Sequence, residues 1–408
     1  MSQPLRPITS MPRRSSYDVV IVGGAMIGSS IAWFLSANPD FDGSVLVVER
    51  DRTYERASTT LTNSCMRQQF SNAINVRISQ FAADFVRNFR EYLGSDPEIP
   101  DIFFHQFGYL YLASTDEGAT ALRERQLLQA ELGAGTRLLG PEQIAAEFPF
   151  YRLDDIVLGS HNPVDEGYFD SGTMFPWLQK CARRNGVEFV DNEIVAMNRS
   201  GSRVVEVTLA SGEAISCGTV VNAAGTRADH VAQMVGASVP VEPRVRYSWV
   251  VKLAEPLDQD LPLTIDPSGV HVRSEGKAYQ VGCPPDVDVD VAVDPDDFIM
   301  DNDIFEEKVW PVLADRIPAF ERLKEITRWP GHYSYNTLDQ NAIVGPHDEV
   351  TNLLFANGFS GHGLQQSPAV GRGVAELITY GEYRTLDLRP LNYERIPANQ
   401  PLVEAAVI

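Results

Sequence analysis

Seven side chains in this sequence are of types that could grip a small anionic molecule: Arg67, His271, Arg273, Tyr333, Tyr335, His362 and Gln365. Arginine carries a planar fork of donors that matches a carboxylate and fixes its orientation. Arg67 closes a loop rich in Ser and Thr, running from Asp51 to Ser64, and is the first choice for that role. The plainer alternative is an arginine that bridges loop and helix. His271 and Arg273 alternate on one predicted strand, so their side chains share a face. They would be ligands if that face looks at the reacting centre, and ordinary strand residues otherwise. His362 stands inside a glycine turn, Gly361-His362-Gly363. It either orders that turn and supplies positive charge, or abstracts a proton. Tyr333, Tyr335 and Gln365 flank the same region and could shape a pocket.

The elements that must position these residues are two. Near the N-terminus, the apolar run Val19 to Val22 reads as a buried parallel strand. It leads into Gly23-Gly24-Ala25-Met26-Ile27-Gly28, then a helical stretch, then Val45-Leu-Val-Val-Glu49. Gly23 permits the tight turn, Gly28 lets the helix pack close to the sheet, and the helix N-terminus offers free N–H groups to a pyrophosphate. Glu49 ends the second strand at the distance where an acidic residue accepts ribose hydroxyls. Ala25 replaces the middle glycine of the usual pattern, a one-methyl intrusion that Gly24 could relieve. Near the C-terminus, Ala356-Asn-Gly-Phe-Ser-Gly-His-Gly363 is a glycine-rich turn entering a helix. It is suited to the far end of a long cofactor. A nicotinamide enzyme needs only the first unit, so the pair points to FAD.

Length and composition bound the rest. The chain has 408 residues, which suggests two domains, and 44% hydrophobic with 22% charged residues is ordinary for a globular protein. The formal net charge of −21 disfavours nucleic acid and anionic membranes as partners. It also means that a carboxylate ligand must be captured by local cations. Cys65, Cys181, Cys217 and Cys283 are scattered and form no metal or disulfide pattern, which fits a reducing cytosol. No apolar run is long enough to span a membrane. The first 16 residues, with Arg6, Arg13 and Arg14, read as a disordered extension, the alternative being a mitochondrial presequence. A cytoplasmic protein, with a homo-oligomer possible, is the expectation.

Periodicity predicts helices over 75–92, 115–132 and 172–185. A strand pair is predicted over 103–113, turning at Phe107-Gly108. A hairpin is predicted around Ser211-Gly212, and a separate buried strand over Thr219 to Gly225. From 240 to 328 the pattern is β-rich, with strands over 244–253, 270–273 and 278–282. The alternating Asp286-Val-Asp-Val-Asp290 lacks the glycine and glutamate of a calcium loop, so it reads as a solvated loop or edge strand and no metal is expected. Segments 15–100, 155–238 and 331–395 are assigned to a nucleotide-binding domain. Segments 101–154 and 239–330 are assigned to a substrate domain over the cofactor's reactive end.

These residues together resemble the D-amino-acid oxidase superfamily, nearest its glycine and sarcosine oxidase group. The match runs through Val19 to Glu49, Val221-Asn-Ala-Ala-Gly225, Thr337-Leu-Asp339 to Gly345, and Gly358-Phe-Ser-Gly-His-Gly363 to Arg372. The wording Tyr335-Asn-Thr-Leu-Asp-Gln-Asn341, Ser360-Gly-His-Gly-Leu-Gln-Gln366 and Arg67-Gln-Gln-Phe-Ser71 is most similar to the branch of the mitochondrial flavoprotein that assists complex I assembly. The resemblance implies an α/β fold. A Rossmann-type FAD-binding domain is interleaved with a second, α+β domain built on a mainly antiparallel sheet. It implies FAD contacts from Gly23, Ala25, Met26, Ile27, Gly28, Glu49, Arg50, Ser58, Thr59, Ser64, Arg67, Ile194, Ala223, Ala224 and Gly225. Further contacts come from Asp339, Gly358, Gly361, His362, Gly363, Leu364 and Gln365.

The activity implied is oxidation of small secondary amino acids, such as sarcosine or iminodiacetate-type N-carboxymethyl amines. Hydride would pass from Cα to flavin N5, the imine would hydrolyse, and O₂ would yield hydrogen peroxide. Alternatives are a dehydrogenase using a quinone or other carrier, and a non-catalytic, flavin-stabilised assembly factor. Departures from the group bear on this. Gln365 stands where sarcosine oxidases have a lysine that holds carboxylate. His332 stands where they have a flavin-linking cysteine, and Ser58-Thr59-Thr60 where dimethylglycine-type enzymes have a linking histidine, so non-covalent FAD is expected. Ser334 and Tyr335 stand where glycine oxidases have a carboxylate-binding arginine. The oxygen-activating lysine has no counterpart near Gly282-Cys-Pro-Pro285.

Overall fold

A computed structural model describes residues 7–407. Its first sheet has eight strands, centred on five parallel ones in the order Leu353–Asn357, Ala214–Asn222, Ser16–Val22, Val45–Glu49, Glu188–Asp191. Alternate residues of the central strands are buried on opposite faces. Val19, Ile21, Val45 and Val47 enter one core, with helices Met26–Ala37, Ala73–Arg87, Ser171–Arg184 and Gly363–Tyr380 against it. Val20, Val22, Leu46 and Val48 enter another. Burial on both faces is why these strands read as continuous apolar runs rather than alternating ones.

The second sheet also has eight strands, in the order Leu323–Asn336, Val241–Leu253, Ala278–Cys283, His271–Glu275, Leu263–Ile265, Tyr109–Ala113, Leu158–Asn162, Arg137–Leu139. All its pairs are antiparallel except Leu263–Ile265 with Tyr109–Ala113. Trp249, fully buried, anchors its core against Phe305 at a ring separation of 5.3 Å. A small sheet of Cys65–Met66, Gly167–Phe169 and Phe104–His105 links the two halves. Both the α/β class and the mainly antiparallel second sheet follow the expectation.

Local readings differ in four places. The predicted strand pair over 103–113 is not a hairpin. Phe104–His105 pairs with Gly167–Phe169, and Tyr109–Ala113 pairs with Leu158–Asn162 and Leu263–Ile265. The hairpin arm and the buried strand before Gly225 are one strand, Ala214–Asn222. Its first half pairs with Arg203–Leu209 and its second with Leu353–Asn357. Strand Leu158–Asn162 belongs to the second sheet although it falls after residue 154, and Leu323–Asn336 runs past residue 331. Residues 1–6 of the presumed extension lie outside the described residues. The remainder lies along the sheet edge instead of hanging free: Thr9 bridges Val190, and the Arg13 N–H donates to Glu188 Oε1 at 2.9 Å.

Candidate functional site

A cavity of about 530 Å³ runs from the turn after the first strand to the sheet–sheet junction. At the turn, Gly23 has φ +97°, and a Cβ there would sit 2.5 Å from the Ala223 carbonyl oxygen. A Cβ on Gly28 would sit 1.9 Å from the Gly23 carbonyl oxygen, so Gly28 acts behind the turn and does not line the cavity. Ala25 is the N-cap of helix Met26–Ala37, with extended backbone that any residue adopts. The backbone conformation there makes no demand for glycine.

The turn is tied down from several sides. Glu49 Oε2 accepts the Gly24 N–H and Oε1 accepts the Asp51 N–H, both at 2.8 Å. Burial pushes the Glu49 carboxyl upward, and those two N–H donors oppose it. The Gly24 carbonyl accepts from Ser29 Oγ, Tyr54 Oη and Gln179 Nε2. Thr59 Oγ1 accepts the Met26 N–H at 3.2 Å, and Ser58 Oγ donates to the His332 carbonyl at 2.6 Å. Met26, Ile27, Arg50, Ser58, Thr59, Ser64, Ile194, Ala223, Ala224 and Gly225 all line this part of the cavity.

At the other end stand Arg67, Tyr333 and the run Gly361 to Gln365. His362 is the N-cap of helix Gly363–Tyr380, which, like Met26–Ala37, carries no side-chain cap. Two helix N-termini whose own N-cap residues contribute no side chain stand on one cavity and give it two sites that favour negative charge. That matches the pyrophosphate and the anionic ring end of FAD, and Gly361, at φ +90°, brings backbone to the wall where a Cβ would strike the Tyr333 ring at 2.4 Å.

Arg67 is 2% exposed, and among the described residues its side chain donates to neutral acceptors: the carbonyls of Gln69 (2.8 Å) and Ala406, and His362 Nε2 (2.8 Å). Its backbone N–H donates to Gln365 Oε1 at 2.8 Å, and its guanidinium covers the Phe70 ring at 4.2 Å. Burial first and Arg67 second hold the His362 imidazole well below its ordinary value. It is neutral, and since a guanidinium can only donate, its ring proton sits on Nδ1. Beneath Arg67, Glu166 is fully buried. It accepts from the N–H groups of Gln68 (2.6 Å) and Gln69 (3.1 Å), from Gln69 Nε2 and from Asn162 Nδ2. Burial pushes its carboxyl up to about 8 against those donors.

The structure separates some residues that the sequence groups together. His271 lines the cavity, with its Nε2 3.2 Å from Asn63 Nδ2, and burial lowers it to about 4. Arg273 shares that strand face, yet the Asn63 segment stands between it and the cavity. Arg273 donates to the Asn63 carbonyl at 3.0 Å, pairs with Glu275, and faces a separate hollow of about 380 Å³. Tyr335 lies beyond the cavity wall under Arg244, 5.3 Å from its ring centre. Asp339 is fully buried and spends its oxygens on Arg395, Asn336, and the N–H groups of Asn341 and Leu402, which leaves it a clamp on the chain rather than a cofactor contact. Gly358 packs against Val241 and Asn336 outside the cavity.

Arg246, Tyr109, Asn63 and Ser248 line the cavity and were not singled out by sequence. For Arg246 no local signal exists: it stands opposite Gly331 of the partner strand, while Tyr333 faces Arg244.

Comparison with known proteins agrees with this geometry. The chain is 40% identical to FAD-dependent oxidoreductase domain-containing protein 1 of Xenopus laevis, covering 99% of this chain and 87% of that protein. It is 24% identical to the mitochondrial dimethylglycine dehydrogenase of Rattus norvegicus, over 94% of this chain but only 45% of that protein. Among solved structures, L-proline dehydrogenase from P. horikoshii superposes with a TM-score of 0.82 at 24% identity, over 97% of this chain and 100% of that one. Residues 18–377 match the family described as FAD dependent oxidoreductase, and the chain belongs to that family, DAO, whose members are flavoproteins binding FAD.

Proposed function

We propose that this protein oxidises the C–N bond of small secondary amino acids, with the substrate carboxylate held by Arg67 and O₂ as electron acceptor. The observation that carries this reading is Arg67 itself: a buried cation on the cavity wall whose side-chain acceptors, among the described residues, are all neutral. A buried charge is costly unless paired, and an incoming carboxylate supplies the pair. The name of the rat relative, an enzyme of an N-methylated amino acid, supports an N-substituted amino acid as substrate.

The residues of the phosphate turn and of the Gly361 to Gln365 run would hold FAD, which would supply the acceptor for a hydride from the substrate α-carbon. The chain's own residues bind and orient. His362 Nε2 is engaged by the Arg67 guanidinium, so this nitrogen is no proton acceptor for the substrate amine. A substrate that arrives with its amine already neutral needs no proton acceptor at this nitrogen, and positioning then supplies most of the catalysis. Gln365 spends its carbonyl oxygen on the Arg67 N–H, which fixes the loop from which the guanidinium extends.

A second reading, a dehydrogenase passing electrons to another carrier, is favoured by one observation. Among the described residues no lysine lines the cavity, and its cations are arginines. The experiment that tests the proposal is anaerobic bleaching of the flavin by sarcosine and by iminodiacetate. Dimethylamine, which lacks the carboxylate, serves as control, and air is then admitted. Bleaching by the carboxylated amines alone, with peroxide on aeration, is expected. Bleaching without peroxide supports the second reading, and no bleaching by either carboxylated amine overturns both.

A further inference from the structure

The acidic segment between strand Ala278–Cys283 and the helical turn at Phe305 is largely exposed, as expected, yet it is held against the rest of the molecule. Pro295 and Asp296 form part of the cavity wall, and three of the segment's carboxylates tie it down, the first being Asp286 on Lys308 at 2.6 Å. Asp296 pairs with Arg227 and, at 3.5 Å, with Arg50 at the adenosine end. Asp290 grips Arg246 with both oxygens at 3.0 Å, in the fork arrangement of a bidentate carboxylate.

Arg246 is a wall residue of the cavity, whereas Asp290 is not. The guanidinium lies over the Tyr333 ring at 4.9 Å, and Tyr333 in turn packs on the Gly361 turn. Burial raises the Tyr333 hydroxyl, and the opposing charges are Arg246 and then Arg67, so both guanidiniums act on one group inside the cavity. Arg246 Nε is buried without a partner. Asp290 also has a second cation close by, since its Oδ1 lies 3.8 Å from Arg244 Nη1 and its carbonyl already accepts from Arg244. Losing Arg246 would therefore leave its carboxylate paired. Breaking a buried ion pair is costly when one charge is stranded, and here neither would be.

We infer that Arg246 is a second carboxylate-binding residue of the cavity, that Asp290 fills it until substrate arrives, and that the preferred substrate is a small secondary amine carrying two carboxylates. This deepens the reading proposed above, with Arg67 taking the carboxylate next to the oxidised carbon and Arg246 the other. The exchange is of one carboxylate for another on the same guanidinium, with no change in protonation. The Asp290 latch then opens for a diacid and stays closed for a monoacid.

The test uses FAD-loaded protein and inert acids, followed by the change that each causes in flavin absorbance. Acetate reports the first anchor; malonate, succinate and glutarate report both. At least one diacid should bind about tenfold more tightly than acetate, the scale of one charge-assisted pair. Asp290→Asn should widen that ratio, while Arg246→Gln should bring it close to one. Arg246→Lys, which keeps the charge but loses the fork, should also shrink the ratio and guards against a variant that fails to fold. The inference is overturned if no diacid is preferred, if Arg246→Lys leaves the ratio intact, or if Asp290→Asn weakens acetate and diacids alike, as a purely structural latch would. Failure of acetate itself to bind would count against the Arg67 reading, whereas acetate binding with no diacid preference would count against this one alone.

Discussion

The Glu49 carboxylate holds the Gly24 and Asp51 N–H groups, so it shapes the phosphate turn as well as facing the adenosine end of the cavity. Glu49→Ala removes both bonds and the acceptor for ribose. Loss of hydrogen bonds to a charged acceptor should weaken FAD binding by about 2–4 kcal/mol. Fluorescence titration of the apoprotein with FAD checks this, and relative rates on different amines should not change. His332 and Cys65 are the other residue-scale question, because both line the cavity and could carry a flavin bond. Burial raises the Cys65 thiol and lowers the His332 ring, which keeps the first protonated and the second neutral. Cys65 is therefore not activated for attack as a thiolate. Acid precipitation should release all the yellow colour into the supernatant as FAD; colour left in the washed pellet would show a covalent link.

At the scale of elements, the segment from Arg67 to Gln69 is clamped from below by Glu166 and from outside by the C-terminal strap, whose Ala406 carbonyl accepts from Arg67. Because burial lifts the Glu166 carboxyl from 4.5 to about 8, the folded protein holds a proton there that the unfolded chain has lost. Its stabilising contribution is complete below pH 4.5 and is lost as pH rises toward about 8. Thermal unfolding measured across that range should show a downward slope with pH, and Glu166→Gln should flatten it. The phosphate turn was legible from sequence because strand, glycines and Glu49 lie within one local unit. Arg246 was not, because its place on the wall depends on strand Val241–Leu253 pairing with Leu323–Asn336, a contact that no local pattern encodes. Arg273 illustrates the same limit. Alternation placed it correctly on the face of His271, but the intruding Asn63 segment comes from far away in the chain. Asp339 belongs to a conspicuous motif, yet its partner Arg395 could be found only in the folded chain.

Across the whole molecule, both sheets are assembled from separated stretches of chain, and the cavity forms where they meet. With a net charge of −21, long-range attraction does not draw a carboxylate inward, so capture rests on cations at the cavity wall. Among the described residues, Arg67 is a wall cation that the fold buries without an anionic acceptor on its side chain. The most direct measurement is steady-state and anaerobic reduction kinetics of Arg67→Ala with a carboxylated secondary amine. The apparent KM should rise by about 10²-fold, corresponding to a lost charge-assisted interaction of about 3 kcal/mol, while FAD content stays near that of the unaltered protein. An unchanged KM in fully FAD-loaded Arg67→Ala would contradict the account and place the carboxylate elsewhere on the cavity wall.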